Sequence, residues 1–175
     1  MAAPRPTSSV PRRYAAEDLT TLRARPREFE GELRDIVERQ DVGRHLVTIP
    51  SVGPVTAAAA LAEAGDYARF PDAATLASYA GLVPALRRSG NRAPLRAGLH
   101  PAGNARLRRA LYMAALVGVR HNPWLKAFYD RLVARGKPTL LALTTAMRKL
   151  LAAMHSVARR RQPFVLPPAP ALAAA

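Results

Sequence analysis

Residues 48–57 read Thr48-Ile49-Pro50-Ser51-Val52-Gly53-Pro54-Val55-Thr56-Ala57, and this stretch decides how the chain folds. A helical segment is expected to end at Pro50. A second helix begins with Pro54 at its first position, because proline has no N–H to lose there and its φ is already helical. Gly65 is the expected end of that second helix. The stretch therefore predicts two helices joined by a tight turn.

The turn also predicts a binding site for a phosphate. The amides of Gly53, Val55 and Thr56 point out of a helix N-terminus, where the macrodipole adds partial positive charge. The pattern is similar to the helix-hairpin-helix turn, apolar-Pro-Gly-apolar-Gly-Pro, with Ser51 in place of the first glycine. An ordinary corner between two helices explains the same residues, and the motif alone does not separate the two interpretations.

The charge of the chain is concentrated in its second half. The 175 residues carry a net charge of +15. Residues 1–72 hold ten basic and eleven acidic side chains, whereas residues 73–175 hold seventeen basic side chains and one acid, Asp130. Such a half is typical of a protein that binds a polyanion, since each arginine that meets a phosphate releases condensed counterions. Nucleic acid is the partner that this charge favours.

Composition excludes several classes of protein. The chain has no cysteine, which excludes disulfides, thiolate metal sites and a cysteine nucleophile. Residues 1–13 lack the apolar run of a signal peptide, and the longest apolar window, residues 140–147, is too short to cross a bilayer. We therefore expect a soluble protein with no membrane partner, for which the cytoplasm is a permitted location.

Hydrophobic periodicity predicts an all-α fold, a compact multi-helix domain with flexible termini. The expected organisation is a disordered segment at 1–15, an amphipathic connecting helix at 16–44, a helical domain at 45–160 and a Pro/Ala-rich tail at 161–175. One face of the connecting helix is apolar and is expected to pack on a partner; its residues are Phe29, Leu33, Ile36 and Val37.

Local signals mark the helices of the second half. Asp72, Asn104 and Asn122 each precede a helical run and are predicted N-caps. Residues 84–103 contain three prolines, three glycines and four arginines, which predicts a long basic loop. The last helix carries a narrow apolar seam at alternating steps of three and four: Leu140, Leu143, Met147, Leu150, Met154 and Val157. The seam serves either an internal bundle or a second subunit.

The sequence offers little for acid–base or metal chemistry. No acid lies between Asp72 and Asp130, and the four histidines lack the spacing of metal ligands. We therefore expect no cofactor in this chain and no self-contained two-metal nuclease. A hydroxyl among cations remains, Ser89 in the run Arg87-Arg88-Ser89-Gly90-Asn91-Arg92. Guanidinium groups stabilise the charge that develops on a phosphodiester under attack, although a serine before glycine is also a common turn residue.

Several blocks in order along residues 45–155 resemble the C-terminal domain of the insertion-sequence 110/116/902 family of transposases. Besides residues 48–57, they are Gly65-Asp66, Arg69-Phe70-Pro71, Tyr79-Ala80-Gly81-Leu82-Val83-Pro84, Ser89-Gly90, Gly103-Asn104, Leu107-Arg108-Arg109-Ala110-Leu111, His121-Asn122-Pro123 and Gly136-Lys137-Pro138. Two features depart from the family pattern: His100-Pro101-Ala102 replaces a basic run before Gly103, and the loop after Ser89 is poor in glycine and lysine.

The resemblance implies a role in DNA transposition and recombination by a mobile element. In that family a RuvC-like N-terminal domain binds metal, so Mg²⁺ is implied only through that domain, which residues 1–15 do not resemble. The family's C-terminal domain supplies a serine that forms a covalent bond to DNA, guided by a bridge RNA, and the matching residue is Ser89. DNA contacts are expected from Gly53, Val55, Thr56, Arg87, Arg88, Arg92, Arg96, Arg106, Arg108 and Arg109.

Three classes of function stay open. The first is the DNA-binding domain of a transposase with a serine nucleophile, which needs a RuvC-like partner subunit or works as a homo-oligomer. The second is a non-catalytic helix-hairpin-helix module or a decayed transposase fragment. The third is a structural helical protein that dimerises through the seam of the last helix.

Overall fold

The computed structural model describes residues 28–83 and 103–166. These residues form helices joined by turns, and no strand occurs among them. The elements are α1 (residues 28–39), α2 (Asp41–Leu46), α3 (Pro54–Ala64), a 3₁₀ turn (Tyr67–Arg69), α4 (Ala73–Tyr79), α5 (Ala105–His121), α6 (Pro123–Ala134) and α7 (Thr139–Arg160). The predicted all-α fold is confirmed.

Helix α7 is the centre of the fold. It packs against α2, α4, α5, α6 and the 3₁₀ turn, and ten of its residues are buried. Five of the six predicted seam residues, from Leu143 to Val157, are among the buried ones, whereas Leu140 is 68% exposed. The seam therefore belongs to the internal core, and the alternative that it pairs with a second subunit is wrong. The other helices of this chain already cover it.

The predicted caps are confirmed at three helix starts. Asp72 accepts a hydrogen bond from the amide of Thr75 at 2.7 Å, and Asn104 accepts one from the amide of Leu107 at 2.9 Å. Asn122 accepts from the amides of Trp124 and Leu125. Gly65 ends α3 with a φ of 61°, a conformation that suits glycine.

Helices α3 and α5 pack side by side and run antiparallel. Near the end of α3, Glu63 accepts a hydrogen bond from Asn104 at the start of α5, with 2.7 Å between Oε2 and Nδ2. The hydroxyl of Tyr79 donates to the carbonyl oxygen of Glu63 at 2.8 Å. At the opposite end, Gly118 of α5 lies against Ser51, just before α3. The two ends of this helix pair are therefore chemically different places.

The polypeptide enters and leaves segment 84–102 at the same point. The amide of Asn104 donates to the carbonyl oxygen of Tyr79 at 2.8 Å. Gly103 sits so close to Gly81 that a Cβ on Gly103 would lie 2.2 Å from the Cα of Gly81. Glycine is required at position 103 because the two backbones touch. The predicted basic loop itself lies outside the described residues, as do the predicted disordered segment at 1–15 and residues 167–175.

Helix α1 is only partly covered by the rest of the chain. Of its apolar residues, Val37 is buried and Leu33 is half-buried, whereas Phe29 is 66% and Ile36 54% exposed. The helical prediction for residues 28–39 is confirmed, and the prediction that this face packs on a partner stays a prediction.

Candidate nucleic-acid interface

The turn between α2 and α3, residues 47–53, is held in place by the core on one side and by α6 on the other. Ile49 and Val52 are buried, and the amide of Val52 donates to the carbonyl oxygen of Ile49 at 2.9 Å. Asn122 Nδ2 donates to the carbonyl oxygen of Pro50 at 2.9 Å. Since Asn122 also caps α6 and is 2% exposed, the 47–53 turn is fixed relative to α6.

Ser51 adopts a backbone conformation that suits glycine better. Its φ is 78°, in the left-handed region that costs an ordinary residue about 1 kcal/mol or more. Its hydroxyl is buried and has no hydrogen-bond partner among the described residues. Gly118 provides the space for it, because a Cβ at 118 would lie 2.7 Å from Ser51 Oγ. The serine that replaces the glycine of the motif is therefore accommodated at a cost.

The start of α3 has no side-chain cap. Gly53 occupies the N-cap position with φ −84° and ψ 177°, and Pro54 occupies the first helical position. The amides at the next two positions belong to Val55, which is 55% exposed, and Thr56, which is half-buried. At α4, α5 and α6 an Asp or Asn oxygen accepts from amides at this level. At α3 the acceptor must come from outside the helix, and the first turn contains no acid.

The three predicted arginines of α5 have different surroundings. The side chain of Arg106 is 87% exposed and lies 3.6 Å from Glu63. Arg108 is half-buried and donates to the carbonyl oxygen of Ala80 at 3.1 Å, so it links α5 to the end of α4. Arg109 is exposed. The sequence did not distinguish Arg108 from its neighbours, because its acceptor lies 28 residues away in the chain.

The predicted backbone amides and these arginines do not form one cluster. Arg106 lies beside Glu63, near the end of α3, whereas Gly53 precedes the start of α3. The eleven residues of α3 separate the two by about 16 Å at 1.5 Å per residue. The predicted contact residues that the structure describes therefore lie at two places, at opposite ends of α3. A DNA duplex carries one negative charge per about 1.7 Å of its axis, so a duplex that extends along α3 presents phosphates to both places.

Sequence reasoning missed Arg120, an exposed residue in the last turn of α5. It also continues an exposed stripe along one face of α5, at spacings of three and four residues: Arg106, Arg109, Met113, Val117 and Arg120. The block His121-Asn122-Pro123 beside it in the sequence was the available signal.

Ser89 and the arginines Arg87, Arg88, Arg92 and Arg96 lie outside the described residues. The anchored ends of their segment lie beside Tyr79 and Asn104, at the end of the α3–α5 pair that carries Arg106. The segment thus starts and finishes at the arginine end of α5, away from the 47–53 turn.

Two features are absent from the described residues: a group of metal ligands and a membrane-spanning helix. Within residues 28–83 and 103–166, no three His, Asp or Glu side chains come together in a group that could hold a metal ion. The Mg²⁺ that the resemblance implies through a RuvC-like domain therefore has no ligand group among these residues. No described helix combines the length and apolarity needed to span a bilayer.

The fold and the site define an all-helical domain with a strongly cationic second half, in which the start of α3, like the starts of α2 and α7, has no side-chain cap. The family model described as "Transposase IS116/IS110/IS902 family" matches residues 43–130. This range runs from within α2 to within α6 and includes the 47–53 turn. The chain belongs to the IS116/IS110/IS902 transposase family.

Curated relatives agree with this assignment. An uncharacterized 43.6 kDa protein of insertion element IS110 from Streptomyces coelicolor is 34% identical over 146 residues, 82% of this chain and 35% of its own length. The pilin gene-inverting protein of Moraxella bovis is 36% identical over 68% of this chain and 37% of its own length. The transposase for insertion sequence element IS1111A of Coxiella burnetii is 32% identical over 59% of this chain and 30% of its own length. The chain spans about a third of the length of these relatives.

Proposed function

We propose that this chain is the DNA-binding C-terminal domain of a transposase or recombinase, with Ser89 as nucleophile and a RuvC-like partner domain required for activity. One observation carries the DNA-binding part: the exposed start of α3 has no side-chain cap, although the 47–53 turn before it is held rigidly. A phosphate oxygen is the acceptor that suits such a helix start. The names of the relatives, a transposase and a gene-inverting protein, support a role in DNA rearrangement.

Two sites share the phosphate contacts in this proposal. The amides of Val55 and Thr56 bind one phosphate at the start of α3. At the other end, Arg106 and Arg109 bind the backbone next to the segment that carries Ser89. Arg108 contributes by positioning α5 through its bond to Ala80.

Ser89 performs the chemical step in this proposal. Its Oγ bonds to the phosphorus of the scissile phosphodiester, the bond to the leaving deoxyribose oxygen breaks, and the serine proton ends on that oxygen. Arg87, Arg88 and Arg92 are expected to stabilise the negative charge on the phosphoryl oxygens, and Arg96 to hold the adjacent backbone. Any metal would be bound by the RuvC-like partner, and a bridge RNA would select the target.

The DNA-binding part is tested by salt dependence. We expect the 175-residue chain to bind a 20-base-pair duplex without cutting it. About four phosphate contacts predict about a hundredfold loss of affinity between 50 and 200 mM salt. An affinity that does not change with salt would contradict the electrostatic basis of the proposal.

The catalytic part is tested by supplying the RuvC-like portion of a relative in trans, with its guide RNA. Ser89→Ala should abolish covalent protein–DNA adducts and strand exchange while duplex affinity changes by less than about twofold. Ser78→Ala is a matched control, because Ser78 is exposed on α4. Equal exchange by Ser89→Ala and the parent chain would favour the alternative of a non-catalytic module or a decayed fragment.

A further inference from the structure

A cavity of about 470 Å³ lies between α6, the second half of α7 and residues 162–166, and we call it the α6–α7 cavity. Its lining residues include the apolar Ala152 and Val157 of α7 and the aromatic Trp124 and Phe164. The volume falls within the range of small-ligand sites, about 300 to 1,000 Å³. The cavity is therefore large enough for a nucleotide.

The aromatic wall of the cavity, Trp124 and Phe164, is connected to the 47–53 turn. Trp124 and Phe164 pack with their ring centroids 5.3 Å apart. The amide of Phe164 donates to Thr48 Oγ1 at 2.7 Å, which joins residues 162–166 directly to the 47–53 turn. Trp124 follows two residues after Asn122, whose side chain is bonded to Pro50. Thr48 and Asn122 therefore connect the 47–53 turn to the two segments that carry the aromatic residues of the cavity.

The charged groups of the cavity are all cationic among its described lining residues. Lys149 Nζ lies 4.8 Å from the ring centroid of Trp124 and 4.2 Å from that of Phe128. Arg160 lines the cavity and is exposed. Desolvation, with a smaller effect from Arg131, lowers the pKa of Lys149 below its ordinary value. An occupant without negative charge would desolvate this ammonium further, whereas an anionic occupant would compensate it.

We propose that the α6–α7 cavity binds an unpaired base of single-stranded DNA, with the adjoining phosphate at Lys149 and Arg160. Aromatic rings beside cations are what single-stranded nucleic acids stack on, since every base has a π face. The inference rests on the proposed function, because strand exchange requires bases that have left the duplex. It adds a site that binds a base, whereas the start of α3 is proposed to bind only the DNA backbone.

Tryptophan fluorescence tests the proposal, because Trp124 is the only tryptophan of the chain. The 175-residue chain is titrated with oligothymidylate of twelve nucleotides, an abasic oligonucleotide of the same length, a duplex and an oligouridylate. Oligothymidylate should quench Trp124, and the abasic strand should not. Oligothymidylate should also bind about tenfold tighter than the abasic strand, which is the factor expected for stacking of one base. The duplex should bind without quenching.

Two substitutions assign the effect to the cavity. Ala152→Phe fills it and should remove the tenfold preference for bases, while duplex affinity stays within twofold. Ala127→Phe is the matched control on the exposed face of α6 and should behave as the parent chain. Phe164→Ala is the second variant, for use if Ala152→Phe does not fold. It removes part of the aromatic wall on an outer segment and should also remove the tenfold preference for bases.

Each other result overturns a stated part of the proposal. Equal affinity for abasic and base-bearing strands, or a tenfold preference that survives Ala152→Phe and Phe164→Ala, means that no base enters the cavity. Duplex binding with normal salt dependence would then leave the proposed function intact. Tenfold tighter binding of oligouridylate would assign the cavity to RNA. Failure to bind any duplex would contradict the proposed function itself.

Discussion

The starts of helices α3 and α6 share a proline and differ in the N-cap residue before it. Each has proline at its first position, Pro54 and Pro123, but the N-cap before it is Gly53 in α3 and Asn122 in α6. Asn122 is buried and satisfies its own helix, whereas Gly53 is exposed and leaves its helix without a side-chain acceptor. A capped start serves the fold, and an uncapped start is available to an anion from outside.

The two starts are also joined, because the Asn122 amide group donates to the carbonyl oxygen of Pro50. The residue that completes α6 therefore also fixes the turn that presents the start of α3. The following predictions test this division between a structural and an available helix start, in order of expected effect on stability.

Asn122→Ala should be the most destabilising of these changes, by about 2 kcal/mol. It removes the cap of α6, worth about 1 kcal/mol, and the half-buried hydrogen bond to the carbonyl oxygen of Pro50, worth about another 1 kcal/mol. Urea denaturation measures the loss. Asn104→Ala is the comparison, and we expect a smaller loss there because Asn104 is only half-buried. A loss below about 1 kcal/mol for Asn122→Ala would mean that the turn does not depend on α6.

Ser51→Gly should stabilise the chain by about 1 kcal/mol. Glycine accepts the φ of 78° without strain and removes a buried hydroxyl that has no partner in the described structure. Ser51→Ala separates the two causes, since it removes the hydroxyl but keeps the strain, and it should recover only part of the gain. A loss of stability on Ser51→Gly, seen in the same denaturation experiment, would show that the serine is not strained.

Asp72 should give the smallest effect, visible only in acid. The hydrogen bonds from the backbone amide and the hydroxyl of Thr75 hold the pKa of Asp72 below its ordinary value of 3.8. Its contribution to stability is therefore present above that value and is lost as the pH falls below it. Asp72→Asn keeps the cap and removes the charge, so the stability difference between the two chains should shrink between pH 6 and pH 2.5. A constant difference would exclude the carboxylate charge as its cause.

Much of the fold could be predicted because its determinants are local. Asp72, Asn104 and Asn122 each bond to amides two or three residues further along, and Gly65 ends α3 through its own backbone conformation. Such contacts leave a mark within a few residues of sequence. The start of α3 at Pro54 was predicted for the same reason.

The parts that were not predicted depend on distant contacts. The seam of α7 fits both an internal core and a second subunit until the packing partners of Met147 and Leu150 are known. Arg108 is distinguished from Arg109 by its hydrogen bond to the carbonyl oxygen of Ala80. The distance of about 16 Å between the two proposed phosphate sites depends on the antiparallel packing of α3 and α5, which no local pattern encodes. The placement of Ser89 stays a prediction.

The most direct test of the central claim gives α3 the cap that α6 has. Gly53→Asn is sterically permitted, because a Cβ there has no atom within 4 Å and the φ of −84° suits any residue. Asparagine would bond to the amide of Val55 or Thr56, and we expect duplex affinity to fall about tenfold while stability rises by a few tenths of a kcal/mol. Gly53→Ala, which provides no acceptor, should bind within about twofold of the parent chain. Equal duplex affinity for Gly53→Asn and Gly53→Ala would contradict the claim that the start of α3 binds the DNA backbone.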